Sequence, residues 1–184
     1  MFPVVMVAWF LVLHQWNAGA FSAPETKTVP DPCLALGGQA QQALGAPSVA
    51  GTPGTKDIGG IRTSKCTWEK AAPSTGSLEV EYSLHRRSQG RSGADSARTE
   101  VDTDVRVDRI FPSSTTVTNL ANLGDEAHQL VGRFGDTPGG LVRTTVVARR
   151  ANVVIHAQST GLPGPTPDQL KQLVAMALAG IKTG

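Results

Sequence analysis

Cys33 and Cys66 are the only cysteines in 184 residues, and they follow an N-terminal apolar run that carries no charge. Together these two features limit what the chain can fold into more than anything else in it. Residues 2–13 (FPVVMVAWFLVL) are all apolar, and the first charged side chain is Glu25. About a dozen apolar residues suit the core of an export signal and fall short of the ~18 or more of a spanning helix. Ala18-Gly19-Ala20 supplies the small-x-small pattern cut by signal peptidases, which sets the expected mature start at or near Phe21. The run lacks the Lys or Arg of an ordinary signal, so either the true start lies upstream or one of two other readings of the segment applies. One is a membrane anchor extended to about Ala23, with Trp9 and Trp16 suited to an interface and His14, Gln15 and Asn17 opposed to a span. The other is a buried helix of the fold. Cys33 follows Val-Pro-Asp-Pro, which is not a lipidation signal.

Two cysteines in an exported chain read as one disulfide. Closing that loop stabilises the fold by roughly 3–4 kcal/mol in the chain-entropy account. The alternatives are a metal site and a catalytic thiol. The first lacks a matching His pair, and no base is identifiable for the second.

The expected organisation is a signal peptide or anchor over 1–22, a polar linker over 23–30 and a single α+β domain over 31–184. About 160 residues without the leader make one domain of ordinary size. A hydrophobic content of 40% with 17% charged residues is globular and excludes a disordered chain. A formal charge of +2 is too mild for a nucleic-acid binder, and none is expected as a partner.

Asp31 before Pro32 predicts a capped helix that ends near residue 44 at Gly45, with Cys33, Leu34, Leu36, Ala40 and Leu44 on its apolar side. Residues 46–63 read as a Gly/Pro/Thr-rich loop. Its Gly51-Thr52-Pro53-Gly54-Thr55-Lys56 segment has the wrong spacing for a phosphate loop. Strands are predicted over 64–71 and 77–85, the second with Leu78, Val80, Tyr82 and Leu84 facing the core. A basic loop, 86–93, precedes a helix over 94–110 with Ala94, Ala97, Val101, Val105 and Ile110 on one face. Val101, Thr103, Val105 and Val107 fit strand alternation as well. A polar stretch follows Pro112, then a short strand (127–133), a loop through 135–140, and a hairpin of 141–149 with 152–159 around Arg150-Ala151. The last helix starts at Thr166-Pro167-Asp168 and carries a stripe of Leu170, Leu173, Val174, Ala177, Leu178 and Ile181. This order gives an antiparallel sheet packed by N-terminal, middle and C-terminal helices.

Asp31-Pro32-Cys33, Cys66-Thr67-Trp68 and Asn122-Leu123-Gly124-Asp125-Glu126-Ala127 together resemble a family of actinobacterial exported proteins and lipoproteins of unknown function. The likeness covers residues 31–183. It implies a PsbP-type α+β sandwich and brings no catalytic residues with it. Lipoprotein members carry lipid on an additional cysteine, which this chain does not have.

Asp125, Glu126 and His128 are the densest ionisable cluster, readable as a metal or acid–base site or as a plain turn, and the turn is the simpler account. Asp102, Asp104 and Asp108 fit a solvated face and lack the Gly and Glu of a calcium loop. His156, Ser159 and Asp168 could compose a triad, but there is no G-x-S-x-G elbow, and His156 reads as a half-buried strand histidine. Catalytic, cofactor and metal residues are therefore not assigned, and no cofactor is expected. Arg86, Arg87 and Arg91, with Arg149 and Arg150, are the local basic excess. They read as solvated loop charge or as the contact for an anionic partner. The expectation is an exported, extracytoplasmic envelope domain that binds a protein, polymer or lipid, with membrane association through its N-terminal segment. An envelope hydrolase with an unrecognised site is the alternative.

Overall fold

The computed structural model describes residues 25–45, 51–71, 76–110, 115–134, 141–161 and 164–182, without the side chains of 108–110 and 134. The apolar run expected as a leader, its expected cleavage point, the first positions of the expected linker and the 135–140 segment expected as a loop lie outside the described residues. Among the described residues, no helix is long and apolar enough to cross a membrane.

The first helix, α1 (Pro32–Leu44), begins as its sequence dictates. The Asp31 side chain accepts the Cys33 N–H at 2.8 Å, Pro32 fills the first turn, and Gly45 closes the helix in the left-handed region at φ 66°. Leu36, Ala40, Ala43 and Leu44 are buried. Leu34 is not on that face. At 88% exposed it lies off the i, i+4 line through Leu36, Ala40 and Leu44.

Part of the expected 46–63 loop is a hairpin, with β1 (Thr52–Ile58) pairing β2 (Ile61–Glu69). Gly59 and Gly60 both take positive φ (61° and 85°), the geometry of a tight two-residue turn that suits the twist of the flanking strands. Strand β1 is exposed along almost its whole length and sits at the sheet edge, so it needs no apolar alternation and tolerates Pro53.

Strand β3 (Ser77–His85) matches its expected span, with Leu78, Val80, Tyr82 and Leu84 fully buried. Helix α2 (Gly93–Ile110) follows, and burial of Ala97 and Val101 with half-burial of Val105 decides for the helical period over the alternating one. Strand β4 (Thr116–Asn119) occupies what read as a polar stretch. It leads to β5 (Glu126–Phe134), β6 (Leu141–Arg150) and β7 (Val153–Thr160). The β6–β7 turn is Ala151-Asn152, one residue later than expected, with Ala151 at φ 51°. Helix α3 (Pro167–Ala179) has a full capping box. Thr166 Oγ1 accepts the Gln169 N–H at 3.3 Å, and Gln169 Oε1 accepts the Thr166 N–H at 2.7 Å.

The strands form one antiparallel sheet in the order β1-β2-β3-β7-β6-β5-β4. Helices α1 and α3 cover one face, where Trp68, Leu78, Val80, Tyr82, Ile155, Leu170 and Leu173 make the main core. Each fully buried Leu, Ile or Val there contributes roughly 1.5–3 kcal/mol. Helix α2 covers the other face over a smaller cluster of Ala97, Val101, Leu130, Val147 and Val154. The α+β antiparallel fold, with three helices among the described residues, is thus as the sequence implied.

Cys33 and Cys66 are bonded, joining α1 to β2 with their Cα atoms 5.2 Å apart. A disulfide points to an oxidising, non-cytoplasmic location. Residues 25–30, expected as a polar linker, lie against the domain instead. Thr26 is buried, Val29 packs on the main core, and the Glu25 carboxylate accepts the Gly93 N–H at 2.8 Å.

Candidate functional site

Helix α2 faces the sheet with more than its apolar stripe. Glu100 and Asp104 are interleaved with Ala97, Val101 and Val105 at i, i+3 and i+4 spacings, so the helix that buries the valines also turns both carboxylates toward the strands. On the sheet, period-two alternation puts Val153, Ile155 and Ala157 on the main-core face of β7 and sends His156 to the α2 face. The same alternation on β3 aims Glu81 and His85 toward α2.

These side chains meet. His156 Nε2 lies 3.4 Å from Glu100 Oε1 and 3.2 Å from Asp104 Oδ2. His85 Nε2 reaches the other oxygen of Glu100 at 2.6 Å. His85 is only 2% exposed, while Glu100 and His156 are about three-quarters covered, at 21% and 27%. Yet the His85 ring nitrogens, His156 Nε2 and Asp104 Oδ2 make no aligned hydrogen bond. Burial alone pushes the Glu100 carboxyl up, but the two imidazoles beside it win and bring it down to about 2. Burial alone lowers the His156 pKa, and the Asp104 and Glu100 carboxylates overcome that and raise it to about 10. Glu81, opposite His156 in the β3–β7 register, has its carboxyl pushed up by burial.

The cluster is reachable from both sides of α2. A cleft of about 160 Å³ is bounded by Asp104 and His156 with Arg143, Thr145 and Gln158. A second, of about 280 Å³, is bounded by His85, Glu100 and Asp104 with Ile61, Arg91 and Thr103. A larger cleft, about 660 Å³, lies elsewhere, between the β4–β5 connection and α3, and has only the Lys171–Asp168 pair as a charged feature of its lining.

Asp104 therefore leaves the solvated face on which the sequence placed it. Asp102 is exposed as expected, and the Asp108 side chain is outside the described residues. His156 is the half-buried strand histidine expected. The Ser159 part of a triad is excluded by alternation, because Ser159 sits on the opposite face of β7 from His156. Asp168 is at the start of α3, on that opposite side too. Glu100 and His85 were missed. The i, i+4 pair Glu100/Asp104 is visible in the sequence, but only the crossing of α2 over β3 and β7 gives it a meaning.

Asp125, Glu126 and His128 lie in one hydrogen-bonded corner. His128 bridges Asn119 Oδ1 (2.9 Å) and Glu126 Oε1 (3.2 Å), and Asp125 Oδ2 accepts the Ala151 N–H at 2.7 Å. Gly124, at φ 72°, allows this turn, and a side chain there would strike the Arg149 carbonyl. Arg149 belongs to the same corner. It is 12% exposed, 3.2 Å from Asp125 and 3.7 Å from Glu126. Arg150 donates to the Leu178 carbonyl at 2.8 Å, near the end of α3. Arg86, Arg87 and Arg91 are exposed on the β3–α2 connection. Arg86 meets Asp57 at 3.1 Å, with both side chains about half exposed. Ser88 and Arg91 exchange backbone hydrogen bonds of 3.2 and 3.0 Å around Gln89 and Gly90, both at positive φ.

Neither family models nor curated proteins give a match to this chain.

Proposed function

We propose that this protein is an exported domain of the cell envelope that acts by binding, and that Arg86, Arg87 and Arg91 contact an anionic polymer or lipid headgroup. The observation that carries this reading is the build of the β3–α2 connection. A tight turn at Gln89-Gly90, closed by the Ser88–Arg91 backbone pair, holds the three arginines on one exposed loop at the buried end of β3. Cations set on a fixed loop attract an anionic surface without needing a deep pocket. Arg149 and Arg150, tied to Asp125 and to the Leu178 carbonyl, supply a second and smaller contribution to this contact. The disulfide agrees with an extracytoplasmic setting. The split of His156 from Ser159 across the sheet speaks against hydrolysis by a serine triad. On the same reading the chain belongs with the actinobacterial exported proteins it resembles, and its sheet with helices on both faces supports the PsbP-type sandwich that the resemblance implies.

The test is co-sedimentation with vesicles rich in anionic lipid and with purified cell-wall polymer. Binding weakens steeply between 0.1 M and 1 M salt as the Debye length falls from ~10 Å to ~3 Å. It falls further in the Arg86→Glu/Arg87→Glu variant at unchanged melting temperature. Equal binding by that variant and the parent overturns the reading.

A further inference from the structure

The geometry points to a site for one divalent transition-metal ion of the zinc class, ligated by His156, Glu100 and Asp104 beneath α2, with His85 positioning Glu100. This site borders the arginine loop only through Arg91, which lines one of the two clefts, and it does not depend on the envelope reading.

The ligand atoms of His156, Glu100 and Asp104 all lie within 4.8 Å of one another. The two edges of that triangle that meet at His156 Nε2, 3.4 and 3.2 Å, are close to the separations an ion imposes on its ligands. With metal–ligand bonds of about 2.0–2.2 Å in tetrahedral array, neighbouring donors sit about 3.3–3.6 Å apart. The helix supplies two donors at i, i+4 and the strand supplies the third, so the triangle is fixed by two rigid elements and not by a loop.

The donor set chooses the class of ion. Two carboxylates neutralise a dication, and one imidazole favours zinc and its neighbours over magnesium or calcium, which seek all-oxygen shells. Three protein ligands leave a fourth position open, and the cleft bounded by Asp104 and His156 gives it access to solvent or a small ligand.

A second, independent observation comes from His85. It is almost wholly buried, its ring nitrogens have no aligned hydrogen-bond partner, and its Nε2 presses on the Glu100 oxygen that does not face His156. At 2.6 Å that approach is too close for His85 and Glu100 to be neighbouring ligands, so His85 fixes the carboxylate from behind. A plain salt-bridge cluster is the competing account. Buried ion pairs hold together when their hydrogen bonds are well aligned. Here His156 Nε2 and Asp104 Oδ2 are both screened from solvent and 3.2 Å apart, and neither makes an aligned bond. The His128 ring, hydrogen-bonded through both nitrogens to Asn119 and Glu126, is the contrasting case of a satisfied histidine.

The experiment uses the intact chain, stripped with a chelator and dialysed, titrated by calorimetry with Zn²⁺, Mn²⁺ or Ca²⁺ alone. The expected result is saturable binding of one Zn²⁺ per chain with a raised melting temperature, and none with Ca²⁺. Asp104→Asn, at a partly exposed position and close in shape, weakens Zn²⁺ by at least about tenfold, and His156→Gln abolishes it. His128→Gln leaves it unchanged. Co²⁺ provides a readout independent of stability, because its visible absorption in the parent disappears in Asp104→Asn. Lack of saturable Zn²⁺ binding by the folded parent overturns the site. So does Zn²⁺ or Co²⁺ binding that survives in a folded Asp104→Asn or His156→Gln protein, or that is lost with His128→Gln.

Discussion

Asn152 holds Thr26 by both of its backbone polar groups. Its Oδ1 accepts the Thr26 N–H at 2.7 Å, and its Nδ2 donates to the Thr26 carbonyl at 3.0 Å. The same Nδ2 donates to the His85 carbonyl at 2.7 Å, and the Asn152 carbonyl accepts the His85 N–H at 2.9 Å. One turn residue thus joins the segment before α1, the end of β3 and the β6–β7 hairpin.

Replacing Asn152 with Ala strands buried backbone groups on Thr26 and His85, and each unsatisfied group costs about 1–3 kcal/mol. Asn152→Ala is therefore expected to lose about 2–4 kcal/mol in urea unfolding. Hydrogen exchange at Thr26 should rise faster than exchange in the centre of β3. Uniform acceleration across both would mean that the clasp is not a local device.

Opening the Cys33–Cys66 bond removes a constraint on the unfolded chain that links positions 33 residues apart. The paired Cys33→Ser/Cys66→Ser variant should be less stable by roughly 3–4 kcal/mol. Mass mapping of native protein isolated without reductant should find the two cysteines in one linked fragment pair. Two free thiols there would contradict the bond.

Gly51 lies over that bond. A methyl group on it would meet Cys66 Sγ and the Trp68 Nε1, and both side chains are fully buried and held. Gly51→Ala should destabilise by about 1–3 kcal/mol, the usual cost of overpacking. Gly37→Ala, where a Cβ meets nothing, should be neutral or stabilising as a helix substitution. Denaturant midpoints of the two variants decide the matter, and equal shifts would refute the packing argument.

Tyr82 is the chain's sole tyrosine, so its ionisation can be followed directly by ultraviolet absorbance. Burial raises its pKa to about 12 from the ordinary value of 10.0. Below pH 10 neither folded nor unfolded tyrosine ionises, and stability is unaffected. Between pH 10 and 12 the unfolded chain loses its proton first, so stability falls by about 2–3 kcal/mol from this group. The hydroxyl has no hydrogen-bond partner among the described residues. Tyr82→Phe should therefore match or exceed the parent's stability at neutral pH, and its alkaline decline should be shallower by that amount. A parent tyrosine that titrates near 10 while folded would rule this out.

Where local chemistry and burial agree, the sequence was readable. Alternation alone placed β3, and the Thr166-Pro167 start with its apolar stripe placed α3. Strand β1 escaped because a solvent-facing edge strand needs no apolar face. Its pairing comes from β2 and the Gly59-Gly60 turn, neither of which changes its own composition. Strand β4 escaped in the same way, with only Val117 reaching the core cluster under α2. The His156 cluster was hidden for a different reason. Glu100 and Asp104 look like a solvated helix face until α2 is laid across β3 and β7, and that crossing is a tertiary fact with no local signal. Arg149 and Arg150 were read as loop charges because nothing in their neighbourhood announces the acceptors that tie them down, Asp125 and the Leu178 carbonyl.

The strand order also sets a timetable for folding. Strands β1 to β3 form one meander and β4 to β7 another, and within each every pairing joins neighbours in sequence. Only the seam between β3 and β7 brings distant parts of the chain together, for instance Tyr82 with Ile155. Closing that seam carries the largest loop-entropy cost and is the expected slow event, with the two meanders assembled ahead of it. Pulsed hydrogen exchange should protect the β1–β2 and β5–β6 amides earlier than those that bond across β3 and β7. Simultaneous protection would mean that the sheet forms from its middle.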